Sequence, residues 1–532
     1  MLHRAILEAR SLTAMARAGV LPVFQPHKVV SMAGAMRRYG PFGGAVTAAA
    51  GRHGAQTAIA DERGSITYAE LDTTINKLSN TLRASYQPGQ TIGILMRNHR
   101  SPLVVAWAAS RAGLNTVWLN TAFSAPQTTE VATREGVDAL FIDVDLAALA
   151  QELTIPVITT DISAPTDELD AFLAAGSPAA PPSPARPGRL ILLTSGTTGT
   201  PKGAPRTEPK GYTLPGAMLD RLPMRTREAT VIGPPLFHGT GLIMTMMTIA
   251  LGSTVVLRRT FDPETFLADI AEHRATAICV VPVLLQRVLA LPTEVVDRHD
   301  TSSLRAAFCS GSALPAAVSA EFQDRFGDVI YNLYGSTEVS LATMANPDVV
   351  RAAPTSVGTP MLGSRVELIG DDGRPVARGE RGRVFVGTVT PFEGYTGGGH
   401  KEIIDGMLAT GDVGHFGADG LLYIDGRDDD MIVSGGENVF PAEVEELLIA
   451  HAAVREAAVV GVEDPEFGMR LRAFIACHDG ANLTADDVRA LVRENLARYK
   501  VPRDVVFLDE LPRNPTGKVL KRTLVQWDTT SG

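Results

Sequence analysis

Cysteine is scarce in this sequence: Cys279, Cys309 and Cys477 are the three among 532 residues. They are odd in number and widely spaced, which argues against a disulfide framework or a thiolate metal knuckle and points to a reducing compartment. Basic runs are missing and the formal net charge is −10, so no nucleic-acid partner is expected. Long apolar runs are missing too. The most apolar one, Leu242 to Leu251, falls well short of the roughly 20 residues that span a bilayer, and it predicts a buried helix. Arg4, Glu8 and Arg10 interrupt the first apolar positions, which leaves no signal-peptide pattern and makes a cytoplasmic location the expectation. No internal repeat is visible.

What is present describes an ordinary globular chain, 45% hydrophobic and 20% charged, long enough for roughly three to four folding units. Residues 1–42 read as a helical extension. Ile6, Leu7, Leu12, Met15 and Ala16 fall near one helix face, and Val29, Val30, Met32 and Met36 form a second patch beside Arg37 and Arg38. Packing on the chain's own next domain is the expectation for these faces, with peripheral membrane contact as the alternative. From Gly43 to about Leu173 strands and helices alternate. Leu71, Ile75, Leu78 and Leu82 recur at helical spacing, Thr91–Leu95 reads as a strand and Pro102–Ala112 as a helix. This rhythm predicts parallel sheet covered by helices.

The stretch around which the chain is organised follows a proline-rich loop. Leu190-Ile191-Leu192-Leu193 predicts a buried strand. It runs into Thr194, Ser195, Gly196, Thr197, Thr198, Gly199 and Thr200, closed by Pro201, Lys202 and Gly203. Glycines let successive N–H groups turn inward as an anion-binding nest, and hydroxyls and Lys202 add donors and positive charge. That is the chemistry a polyphosphate needs. The Walker A pattern is not met, because Gly203 stands where Ser or Thr should follow the lysine.

This stretch resembles the signature of the adenylate-forming superfamily: acyl-CoA synthetases, amino-acid adenylation domains and beetle luciferases. Further stretches carry the resemblance in the family's order. Phe237-His238-Gly239-Thr240-Gly241 ahead of an apolar helix implies an acyl pocket of His238, Gly239, Gly241 and Met244, with His238 among the catalytic residues. No Asp or Glu lies between Val231 and Leu257, where amino-acid adenylation domains keep an acid for the substrate ammonium, so an acid without an amino group is implied. Gly311, Ser312 and Ala313 would lie against adenine, and Cys309 beside them has no partnered base and reads as a small buried thiol. In Tyr334-Gly335-Ser336-Thr337-Glu338, the tyrosine ring would stack on the base, Thr337 would meet the α-phosphate and Glu338 would hold Mg²⁺. Asp412 and Arg427 would contact ribose, Asp429 would be a hinge, and Gly435 and Gly436 would border a pantetheine tunnel. Lys518 would bridge carboxylate and α-phosphate. The chain departs from the family at Gly394–His400, which is short and glycine-rich, and at Met407, where tryptophan is common.

The resemblance implies an α/β fold: a large N-terminal domain of two helix-covered βαβ-type sheets plus a small β-rich subdomain, then a small mobile α+β domain. The expected boundaries are 1–42 for the extension, 43–426 for the large domain and 427–532 for the last. It also implies an ATP-dependent, AMP-forming ligase joining a medium- to long-chain fatty acid to CoA, with Mg²⁺ as cofactor. Delivery to a carrier protein, an aryl or other acid, and a non-catalytic adenylate-binding protein are the alternatives; retention of Glu338 and Lys518 argues against the last.

Overall fold

Buried apolar runs become strands here because each is covered on both faces, as parallel sheet requires. The computed structural model describes residues 2–21, 25–194, 202–205, 212–370, 372–389, 392–396, 398–427, 432–439, 441–478, 480–512 and 519–527. A first sheet runs in the order Val157–Thr160, Val137–Asp143, Thr91–Leu95, Asn115–Trp118, Leu190–Thr194 and Lys202–Pro205. Its first five strands are parallel. The last turns back antiparallel, with Thr194 opposite Lys202. The helix Tyr68–Ser85 starts at a capping box in which Thr67 and Glu70 satisfy each other's backbone N–H groups.

The second sheet has fourteen strands among the described residues. At its centre Thr254–Leu257, Ala229–Ile232, Ala277–Val280, Ala306–Cys309 and Ile330–Ser336 lie parallel. The strands from Ser356 onward, read from sequence as a β-rich subdomain, are hydrogen-bonded onto this sheet through Met344 opposite Thr359. Two sheet edges become one because the strand Ser340–Ala345 pairs on both sides. A third sheet is built from Glu437–Val439, Ile432–Ser434, Gly468–Cys477, Val454–Asp464 and Asp504–Phe507. Helices Pro441–Ile449 and Ala485–Asn495 contribute to the core on one face, and Lys521–Val525 to that on the other.

The N-terminal helices pack on the chain itself. The helix Leu2–Arg17 lies against Thr213–Arg221. Arg10 pairs with Asp220 at 3.0 Å, and Glu8 accepts from the Tyr212 N–H at 3.1 Å. A Cβ at Gly216 would stand 2.3 Å from the Ser11 Cβ, so this crossing is closer than a larger side chain would permit. That close approach moves the buried face from the one expected. Met15 of the expected face is inside, joined by Ser11, Ala14 and Ala18, whereas Ile6 and Leu12 are exposed. The next helix, Pro26–His53, kinks at Gly40 (φ 76) and Pro41. The expected 42/43 boundary therefore falls inside this helix, just beyond its kink. No described helix is long and apolar enough to cross a membrane.

Candidate active site

In open parallel sheets, the loops at the carboxyl ends of strands are where ligands gather, because neighbouring chains leave there in opposite directions. Three of the motifs stand at such ends. Ser310-Gly311-Ser312-Ala313 follows Ala306–Cys309, Tyr334 to Glu338 closes Ile330–Ser336, and His238 follows Ala229–Ile232. They open into one cavity of 2350 Å³, lined by Gly311, Ser312, Ala313, Tyr334, Gly335, Thr337, Glu338, Asp412, His238, Gly239, Gly435 and Gly436. Ordinary ligand pockets measure roughly 300–1,000 Å³. This one has room for more than one small molecule.

Within it, the Tyr334 hydroxyl donates to the Asp412 carboxylate, which ties the ring expected to meet the base to the acid expected to meet ribose. Arg427 is placed in the strand Leu422–Arg427, opposite Asp412 in register. The turn before Glu338 is organised by Ser336, whose hydroxyl donates to Glu338 Oε2 at 2.8 Å and accepts from the Val339 N–H at 3.3 Å. The other carboxylate oxygen accepts from the Tyr395 hydroxyl at 2.8 Å. A carboxylate held by two hydroxyl donors on a cavity wall keeps lone pairs for a hard cation such as Mg²⁺, beside the Thr337 hydroxyl.

Tyr395 was not singled out from the sequence as a site residue; it lies in the glycine-rich segment that departs from the family's pattern. Its ring lies 5.9 Å below Lys202 Nζ. The next residue, Thr396, donates its N–H to Gly203 O at 2.9 Å and accepts from the Gly203 N–H at 2.8 Å. Glu135 accepts from the Thr396 hydroxyl at 2.7 Å. This segment thus joins the phosphate-loop hairpin to Glu338. Tyr395→Phe is expected to lower acid-dependent ATP–pyrophosphate exchange about tenfold, the value of one hydrogen bond to a charged group; the exchange assay checks it.

A two-residue turn brings the third sheet to the same cavity. Ser434 pairs with Glu437, and Gly435 (φ 59) and Gly436 (φ 87) both occupy the left-handed region, as this tightest hairpin demands. Glu437 then reaches across, and its Oε1 lies 2.7 Å from His238 Nε2. Burial pulls the His238 pKa down, but the Glu437 charge and hydrogen bond outweigh it and hold the value above the ordinary 6.5. A raised pKa means that this contact contributes fully below the ordinary value and fades as pH rises through the raised one. In Glu437→Gln the burial stays and the charge goes, so His238 is expected to titrate below its wild-type value, as an NMR titration of the imidazole would read.

Two expected pocket residues lie elsewhere. Met244 is fully buried in the core and Gly241 packs against backbone, its Cβ position 2.7 Å from Pro235 O. On the helix Gly239–Ala250, the cavity is met by Gly239, Thr240, Leu242, Ile243, Met246, Met247 and Ala250. Met244 projects from the opposite side of that helical stripe. Cys309 is buried, and burial pushes its thiol up to about 12, which rules out a thiolate nucleophile. Thr194 is placed as the last residue of its strand. Ser195, Gly196, Thr197, Thr198, Gly199, Asp429 and Lys518 lie outside the described residues.

The family model for AMP-binding enzymes matches residues 46–396, and that for the AMP-binding enzyme C-terminal domain matches residues 443–518. The chain belongs to the AMP-binding, adenylate-forming enzymes. Among similar proteins of this family, a feruloyl-CoA synthase of Amycolatopsis sp. is 33% identical over 471 residues, 87% of this chain and 94% of that protein. A fatty acid–[acyl-carrier-protein] ligase, ScoC of Streptomyces coeruleorubidus, is 29% identical over 482 residues, 88% of this chain and 92% of that one. The o-succinylbenzoate CoA synthetase of Bacillus subtilis is 27% identical in two solved states. A double mutant bound with its product analogue OSB-NCoA superposes with a TM-score of 0.80, covering 91% of this chain and 98% of that one. In complex with the acyl-adenylate intermediate OSB-AMP the score is 0.65, covering 90% and 97%. This chain thus superposes better on the CoA-analogue complex than on the acyl-adenylate complex.

Proposed function

We propose that this adenylate-forming enzyme is an ATP-dependent CoA ligase for a carboxylic acid with a long apolar tail, a fatty acid of medium to long chain. The observation that carries the reading is the single cavity, which joins the nucleotide motifs, the Gly435-Gly436 turn and the apolar stripe of the Gly239–Ala250 helix. A carboxylate does not accept a thiol directly, because oxide would have to leave. Its oxygen therefore attacks the α-phosphorus in line and pyrophosphate departs; positioning and charge neutralisation carry such a step.

Tyr334 and Asp412 would hold base and ribose, Thr337 would donate to the α-phosphate, and the Thr194–Lys202 hairpin would receive the β- and γ-phosphates. Glu338 would hold Mg²⁺, which when bound supplies neutralising charge at the phosphates. Lys518 would bridge carboxylate and α-phosphate. The residues after a hinge near Asp429 would then swing, so that the hairpin bearing Gly435, Gly436 and Glu437 faces the acyl-adenylate, while Arg427 stays in its strand opposite Asp412. The thiol adds to the acyl carbon and AMP leaves with the bonding pair. The placement of that hairpin beside His238, and the better match to the CoA-analogue state, support this second arrangement.

A second reading, an aryl acid, draws on the similarity to feruloyl-CoA synthase. Pyrophosphate exchange measured across acids of varied length and ring content separates the two. Thioester formation with CoA against a carrier-protein thiol then identifies the acceptor. Exchange supported only by ring acids would sink the fatty-acid reading.

A further inference from the structure

We infer that the N-terminal helix pair forms the far wall of the acyl channel and sets which chain lengths the enzyme accepts. This rests on the reading above, that the stripe on the Gly239–Ala250 helix receives the acyl group. The family model begins only at residue 46, so most of this wall comes from a segment outside the family match.

The stripe gives the channel its length. From Gly239 to Ala250 the helix rises about 16 Å at roughly 1.5 Å per residue. One leaflet of a bilayer, half of a hydrocarbon core of about 30 Å, is nearly the same. A membrane-lipid acyl chain, at the length it spans within one leaflet, thus matches the run from His238 to the end of this helix. The same cavity is lined by Met15, Val20, Leu21, Val29, Met32 and Met36, and Arg52 ties this wall to the far end of the helix, donating to Val20 O and, at 2.7 Å, to Ala250 O.

The wall is fixed in place and still leaves space. Besides the Arg10–Asp220 pair, the Thr226 N–H donates to Ala18 O at 2.9 Å and the Tyr39 hydroxyl to Pro181 O at 2.7 Å. The cavity lining includes Met15, Met32, Met36, Met246 and Met247, and such unbranched, polarizable side chains adapt to a flexible guest.

The test compares kcat/KM for thioester formation from octanoate and palmitate in the wild type, Met32→Trp and Met36→Trp. Both methionines are half-buried and line the cavity, so indole there takes up channel volume. The palmitate-to-octanoate ratio is expected to fall about tenfold or more in each variant; an unchanged ratio overturns the inference. A measurement free of variants uses palmitate carrying a photoreactive diazirine at its methyl end. Cross-links are expected in peptides spanning Met15 to Met36, and labelling confined to residues after Ala48 overturns it. A wild-type enzyme that activates ring acids but neither fatty acid refutes the substrate reading itself, before any variant is compared.

Discussion

Replacing Lys518 with alanine is expected to slow acid-dependent ATP–pyrophosphate exchange by about 10²–10³-fold, the range for one preorganised charge removed from a developing anion. Thioester formation from supplied acyl-adenylate should be nearly untouched. The two half-reactions separate because different surfaces of the C-terminal unit would serve them. In the structure the surface facing His238 is the Gly435-Gly436-Glu437 turn. Pro512 and Leu520, which flank the segment containing Lys518, are joined instead by the Leu520 N–H donating to Pro512 O at 2.8 Å. Val519 packs with Leu511 and Phe474 on the Lys521–Val525 side of the third sheet. Equal loss in both assays would remove Lys518 from the assigned role.

Glu338→Ala is expected to lower the same exchange by about 10²–10³-fold, with steep dependence on Mg²⁺ concentration in what remains. Its carboxylate is held from both sides, by Ser336 and by Tyr395 at 2.8 Å each, so the turn is built around it. Alanine leaves two hydroxyls aimed at nothing, and the cavity wall loses its hard oxygen donor. Glu338→Gln keeps the hydrogen-bonding shape and removes the charge. If glutamine restores activity, the residue is a strut; if glutamine is as poor as alanine, the charge is what matters. Titrating Mg²⁺ against exchange rate in both variants distinguishes these outcomes.

The site was readable in sequence where chemistry is local. Tyr334 to Glu338 announces itself because ring, hydroxyl and carboxylate stand within five residues, and the neighbouring strands Ala277–Val280 and Ala306–Cys309 are unbroken apolar runs. The apolar part of the cavity was half readable. A helix was clear from Leu242 onward, but only the structure shows which stripe faces the cavity, and Met244 fell on the wrong side of it. Contacts between distant segments were not readable at all. Tyr395 on Glu338 joins residues 57 apart in sequence, and Glu437 on His238 joins residues 199 apart. The N-terminal face was misplaced for a similar reason. Apolar periodicity favoured Ile6 and Leu12, whereas the close approach of Ser11 to Gly216 selected small side chains.

The shared cavity also bears on the fate of the intermediate. A mixed anhydride of acid and AMP is prone to hydrolysis, and one released to bulk water would waste a nucleotide with each escape. On the proposed reading, walls common to nucleotide, tail and thiol would let the anhydride stay where it was made until the second nucleophile arrives. The longer the tail held along the Gly239–Ala250 helix, the slower such leakage would then be, so fidelity and chain length would become two readings of the same grip.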